Sequence, residues 1–259
     1  MTTTERGILD IKEPDLENLD SPFPGREHRL YLAITNKCNR ACPFCSMHSK
    51  LDGSTFLSLE LLPTFIPEDG IFQVQIEGGE PLLHPNFIDI LLHYHSHPRC
   101  SKVLTCTNGT MFPFKKRNGM INARETHELM DMFFKDIPVD VTFKLSLNYF
   151  LLEADPDLFE RAKLFLDYCE STGRHVIFNL RKRGNSSRDI DAGLDMLLEE
   201  HGLVDRANSF FLQRYGRNSR DPDAQVPHLV GTNFTLINPD GSTWGNHLIN
   251  RSEAMRGLS

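Results

Sequence analysis

Six short runs rich in β-branched and aromatic residues, separated by stretches with helical spacing, constrain this chain more than any other feature. The β-like runs are 30–35, 72–77, 102–107, 141–147, 175–181 and 209–214; the helical stretches are 58–65, 86–95, 124–134, 157–171 and 188–201. Strands alternating with helices imply parallel pairing through right-handed crossovers, hence an α/β fold with an open sheet or a partly closed barrel. Residues 1–28 are acidic, carry Pro14, Pro22 and Pro24, and form an irregular lead-in to a barrel domain spanning 29–215. In the remaining 216–259, Pro239, Asp240 and Gly241 sit between two β-like runs and predict a short C-terminal β-hairpin.

In a parallel barrel the outward side of each strand packs on helices and is apolar, which leaves the other parity for the lumen. That rule places Leu30, Leu32, Ile34, Phe72, Val74, Ile76, Phe143, Leu145, Leu147, Val176, Phe178 and Leu180 outside. Facing inward are then Tyr31, Thr35, Gln73, Gln75, Glu77, Thr105, Thr107, Lys144, Ser146, Asn148, Asn179 and Arg181. A closed eight-stranded barrel fills its interior with branched apolar side chains. This lumen is polar, and an unpartnered buried polar group costs about 1–3 kcal/mol, so it must hold water, a polar cofactor or a polar substrate. The expected architecture is a partial (β/α)6 TIM-like barrel.

The formal charge of −7 over 259 residues argues against a broad electrostatic grip on nucleic acid. No apolar run of about 18 residues could span a bilayer, and no basic-then-apolar signal opens the chain, so a soluble cytoplasmic protein without membrane attachment is expected. The basic insertion 111–124 after the third run is either a substrate-facing loop or a solvated excursion.

Cys38, Cys42 and Cys45 lie within eight residues, directly after the first strand. Such clustering does not suit a disulfide framework and points to metal ligation or redox chemistry. Thiolate is the soft ligand of iron–sulfur clusters, and these spacings let one loop wrap three corners of a cubane. The fourth iron is left without a protein ligand, and an open position on a metal is where a small molecule binds. A zinc site, with His48 nearby, would need a fourth ligand. Cys100, Cys106 and Cys169 stand apart and read as small buried hydrophobes.

Cys-x3-Cys-x2-Cys with Phe44 before the last cysteine resembles the signature of the radical S-adenosylmethionine (radical SAM) superfamily. Its motifs are closest to the branch of molybdopterin-precursor and SPASM-type peptide-modifying enzymes. Gly78-Gly79-Glu80-Pro81, closing the second strand, resembles the family's GGEP element; the resemblance implies a carboxylate accepting from the ammonium of S-adenosylmethionine and glycines that let the backbone approach it. Thr107-Asn108 and Ser146-Leu147-Asn148 follow in the family's order, with Asn148 where relatives often have Asp. By resemblance Phe44, Thr107, Asn108, Ser146, Asn148 and Asn179 join the cofactor-binding set.

The resemblance implies one [4Fe-4S] cluster and S-adenosylmethionine, cleaved by a donor such as flavodoxin or ferredoxin to a 5′-deoxyadenosyl radical that abstracts hydrogen from substrate. Many relatives carry later cysteines for auxiliary clusters; none follows Cys169, so a single cluster is expected. Lys144 and Arg181 favour an acidic group on the substrate, with Gln213 and Tyr215 as further contacts. A biosynthetic small molecule is the expected substrate. Peptide modification is the alternative, although the short N-terminus leaves little room for a leader-binding domain. A non-catalytic iron–sulfur or zinc sensor is the reading of another class, and an RNA-modifying enzyme would need a basic face that the net charge does not advertise.

Overall fold

The computed structural model describes residues 27–184, 188–227 and 233–259, so almost all of the expected lead-in lies outside it. Strands β1 (His28–Ala33), β2 (Phe72–Glu77), β3 (Cys100–Thr107), β6 (Thr142–Asn148), β7 (His175–Lys182), β8 (Ala207–Phe211) and β9 (Phe234–Ile237) make one sheet. Its order is β8-β7-β6-β3-β2-β1-β9, and every pairing is parallel. The sheet curls into a half-barrel whose edge strands β8 and β9 do not pair. Between the strands run α1 (Phe87–His95), α2 (Ala123–Phe134), α4 (Leu158–Thr172) and α5 (Arg188–Glu200). Gly173 ends α4 in the left-handed conformation, φ +71°, with its N–H on the Cys169 carbonyl. Among the described residues no helix is long and apolar enough to cross a membrane.

The outward set is the core. Leu32, Phe72, Val74, Ile76, Phe143, Leu147, Phe178 and Leu180 are wholly buried, and Phe112, Phe134, Phe143 and Phe165 interlock, with centroids 4.5 Å apart for Phe112–Phe165 and 5.2 Å for Phe134–Phe143. Phe112 thus anchors the basic insertion. The remainder of the insertion is an exposed hairpin, β4 (Lys116–Arg117) and β5 (Met120–Ile121), turning at Asn118-Gly119 with positive φ at both. Lys116 and Arg117 pair with Asp157 and Glu125 on the surface, so the hairpin is an excursion, and no residue of the insertion lines the cavity beside the cysteine loop.

Three expectations need revision. The stretch 58–65 forms a 3-10 helix, Leu59–Phe65, since Pro63 lacks an N–H to continue an α-helical ladder. On β3 the inward parity slips by one: Thr105 pairs in register with Ile76 and Phe143, and Thr107 with Leu145, all outward positions. Leu104 and Cys106 face the lumen instead. Consecutive apolar Val103 and Leu104 carry no alternation to set the face. Finally, β9 joins β1 as a seventh parallel strand, covering an edge that would otherwise leave backbone groups unpaired. Only the return from the Pro239–Gly241 turn runs back along it, through Trp244 N–H on Leu236 O (2.9 Å) and Leu236 N–H on Gly245 O (2.8 Å).

Two helices were not anticipated. α3 (Tyr149–Ala154) follows β6 directly, capped by Asn148 Oδ1, which accepts from Leu151 N at 2.9 Å. α6 (Leu248–Arg256) packs on the lumen side of β1, where Met255 clusters with Ala33, Met47 and Cys45.

Candidate active site

The cysteine loop springs from the C-terminal end of β1, the end at which parallel barrels assemble sites. Its base is bolted down by backbone bonds: Cys38 N–H to Lys50 O (2.8 Å), Gly79 N–H to Thr35 O (2.7 Å) and Glu80 N–H to Lys37 O (2.8 Å). The two glycines permit this contact. A Cβ on Gly79 would lie 2.0 Å from the Lys37 carbonyl oxygen; on Gly78, which has φ +145°, it would lie 2.5 Å from that of Thr35. The space a side chain would need is therefore occupied by the root of the cysteine loop, while the glycine backbone still lines the cavity beside it.

One polar cavity collects most of the expected residues. Cys38, Cys42, Phe44 and Cys45 line it with Gly78, Gly79, Thr107, Asn108, Ser146, Asn148, Asn179, Arg181, Gln213 and Tyr215. At its rim Phe44 meets the Tyr149 ring at 5.5 Å, Arg183 lies over that ring at 4.8 Å, and Arg181 lies over Phe210 at 5.3 Å. Asn108 donates to Asn39 Oδ1 (2.8 Å) and makes a longer contact with Cys38 Sγ (3.9 Å).

Glu80, Pro81 and Lys144 do not line the cavity. Glu80 is fully buried; its carboxylate accepts from the Thr107 hydroxyl (2.7 Å), Asn108 N–H (2.8 Å) and Leu82 N–H (3.3 Å). It ties the end of β2 to the end of β3 instead of facing an ammonium group. Burial pushes its pKa up to about 7, against the pull of the Asn108, Thr107 and Leu82 bonds. Lys144 sits deeper, donating to Gln75 Oε1 at 2.8 Å, and burial holds its pKa below the usual lysine value.

The residues present fit a thiolate-bound cluster. Burial pushes Cys38 to about 12 and Cys42 to about 11, so these thiols stay protonated until a metal displaces the proton. Among the described residues no three His, Cys, Asp or Glu side chains converge on a point where a single ion could sit. A cubane asks for something else, a separate thiolate on each of three irons. Arg40 Nε and Ser49 Oγ, on two cavity-lining residues, have no hydrogen-bond partner among the described residues, so polar capacity is left for a ligand.

Sequence reasoning missed the residues that close the site from behind. Arg217 donates to the carbonyls of Cys42 (3.0 Å) and Ser49. Arg251, 1% exposed, pairs with the cavity-lining Glu77 at 2.6 Å and bonds Asn238 Oδ1 (3.1 Å) and Ile237 O (3.1 Å). Neither arginine stands in a motif, and the nine residues of α6 show no clear apolar stripe to announce a packed helix.

A curled parallel sheet with three cysteines on the loop after its first strand defines a class: the Radical SAM superfamily model matches residues 32–167, more than half of the chain, and the chain belongs to that superfamily. Membership makes it an enzyme of the radical SAM class and implies S-adenosylmethionine and a [4Fe-4S] cluster. Among named proteins, it is 38% identical over 100 residues to the GTP 3′,8-cyclase of Shewanella denitrificans, covering 37% of this chain and 30% of that one. It is 29% identical over 264 residues to molybdenum cofactor biosynthesis protein 1 of Mus musculus, covering 84% of this chain and 41% of that one. The matches thus span less than half the length of these curated relatives. Among solved structures the fold resembles native anSMEcpe with bound AdoMet and Cp18Cys peptide, with TM-score 0.51 and 14% identity over 78% of this chain and 55% of that chain.

Proposed function

We propose that this chain cleaves S-adenosylmethionine reductively at a [4Fe-4S] cluster on Cys38, Cys42 and Cys45 and abstracts hydrogen from a polar biosynthetic small molecule. The observation that carries the reading is the convergence of three cysteines and the ends of β2, β3, β6 and β7 on one polar cavity. Bound there, the cluster and S-adenosylmethionine supply an electron and a 5′-deoxyadenosyl radical.

The chain's own residues do the rest. The Gly78-Gly79 backbone, Thr107, Asn108, Ser146, Asn148 and Asn179 offer donors and acceptors for the amino-acid and ribose groups of the cofactor, with Phe44 beside them. Glu80 serves indirectly, by holding Thr107 and Asn108. Arg181, Gln213 and Tyr215 face the substrate side, and Arg181 favours an anionic group there. Relatives named GTP 3′,8-cyclase make a guanine nucleotide the first candidate substrate. Six free cysteines suit a reducing, cytoplasmic setting in which flavodoxin or ferredoxin supplies the electron.

The test is anaerobic. The chain is reconstituted with iron and sulfide, reduced, given S-adenosylmethionine with and without GTP, and assayed for 5′-deoxyadenosine by chromatography, with Cys42→Ala alongside. Production that needs the intact motif supports the reading. A cluster that forms yet cleaves nothing with any candidate substrate would favour a sensor.

A further inference from the structure

We infer that Arg217 is a positioning residue for the cysteine loop, governing how firmly the loop holds a cluster and how readily that cluster takes up an electron. This rests on the proposed cluster on Cys38, Cys42 and Cys45.

Within the loop itself the backbone holds little: Cys45 N–H reaches Cys42 O at 3.2 Å. From outside, one residue reaches three of its carbonyls. Arg217 N–H donates to Cys45 O (3.0 Å), its Nη1 to Cys42 O (3.0 Å) and its Nη2 to Ser49 O. These carbonyls belong to two of the ligands and to the strand of loop that returns behind them: the guanidinium ties the Cys42 peptide to that returning strand, and the Arg217 backbone N–H holds the Cys45 carbonyl beside it. A planar fork holds two carbonyls in one fixed geometry, whereas a lysine ammonium is a point charge on a flexible stem that imposes none.

The approach is as close as backbone allows. Gly216 has φ +66°, and a Cβ there would lie 2.5 Å from Ser46 Cα and 2.6 Å from Cys45 O. On the same stretch of loop, Ser252 of α6 donates to Ser46 O. The segment following β8 is thus shaped to lie against the ligand loop, whereas an arginine with only a solvation role would need no such glycine before it.

The charge matters as well as the bonds. Among the described residues the side chain of Arg217 bonds only to backbone carbonyls and pairs with no carboxylate, so its positive charge stands uncompensated beside the ligand loop. A [4Fe-4S]2+ core with three thiolates carries net charge −1, and one electron from a low-potential donor takes it to −2. A nearby cation stabilises the second state more than the first, so Arg217 raises the reduction potential.

The test compares the chain with its Arg217→Gln and Arg217→Lys variants, each reconstituted anaerobically. Iron and sulfide per chain, iron release to a chelator, the midpoint potential and the EPR signal of the reduced cluster are measured, together with the melting temperature of the metal-free chain. For Arg217→Gln, loss of charge-assisted bonds predicts iron release at least about tenfold faster and a more negative potential. Arg217→Lys keeps the charge and loses the fork; it should restore the potential while releasing iron at an intermediate rate. A merely structural role would lower the melting temperature of the metal-free chain and leave iron release, potential and EPR signal as in the wild type, and that result overturns the inference. Should Arg217→Gln fail to fold, the lysine variant decides, and wild-type iron release from it overturns the inference. A wild-type chain that takes up no cluster at all would overturn the functional reading, an outcome distinct from a cluster that forms and is indifferent to residue 217.

Discussion

Replacing Glu80 with glutamine tests the latch that joins β2 to β3. The carboxyl is fully buried, and burial raises its pKa from 4.5 to about 7. A group whose pKa is higher in the folded than in the unfolded chain contributes stability that is complete below the unfolded value and is lost as pH rises through the folded one. Here the window runs from about 4.5 to about 7. Integrating the linkage between those values, the contribution falls by roughly 2–3 kcal/mol from pH 5 to pH 8. Glu80→Gln keeps one acceptor oxygen, for Asn108 N–H, turns its amide N–H towards the Thr107 hydroxyl, which can accept, and cannot ionise. Urea unfolding of the metal-free chain at pH 5, 6, 7 and 8 should show the wild type losing ground to Glu80→Gln by roughly that amount across the range. Both proteins share every other titrating group, so the difference isolates Glu80. Parallel pH profiles would refute the argument and place the ionised carboxylate in contact with water.

Gly79→Ala should cost at least about 3 kcal/mol in urea unfolding, because its Cβ would meet backbone, the Lys37 carbonyl at 2.0 Å, and not a side chain that can swing away. Arg251→Met strands the Glu77 carboxylate and Asn238 and should cost about 3 kcal/mol; adding Glu77→Gln should recover part of it in a double-mutant cycle. Phe165→Ala, in the wholly buried aromatic cluster, should cost about 3–5 kcal/mol while leaving iron uptake per chain unchanged once reconstituted, since it lies on the outer face of the sheet.

The strands were legible wherever one face is apolar and the other polar. Leu30 and Leu32 alternate with Tyr31, and Phe143, Leu145 and Leu147 with Lys144 and Ser146, so a period of two shows the strand and which side is wet. Where alternation lapses, as at Val103-Leu104, the reading lost its parity, and the hydroxyl of Thr105 ended in the core without a partner among the described residues. Phe234–Ile237 reads as one arm of a hairpin because a turn follows it; pairing with β1 depends on which edge lies open after the other strands assemble, and that is no local property.

The candidate site divides along the same line. The cysteine loop was legible because three cysteines on one short loop are brought together by covalent spacing alone, and the strand ends were legible because parallel topology puts them on one rim. Direction and burial were not. Glu80 stands where a ligand-binding carboxylate would stand, yet packing turns it towards Thr107 and Asn108. Arg217 and Arg251 look in sequence like surface arginines, and their partners Cys42 and Glu77 lie 175 and 174 residues away. The sequence by itself determined the local periods, the cysteine spacing and therefore the class of chemistry. Tertiary structure alone decided which charges are buried, which carbonyls they hold and which face each side chain meets, because those follow from contacts between segments that nothing along the chain brings together.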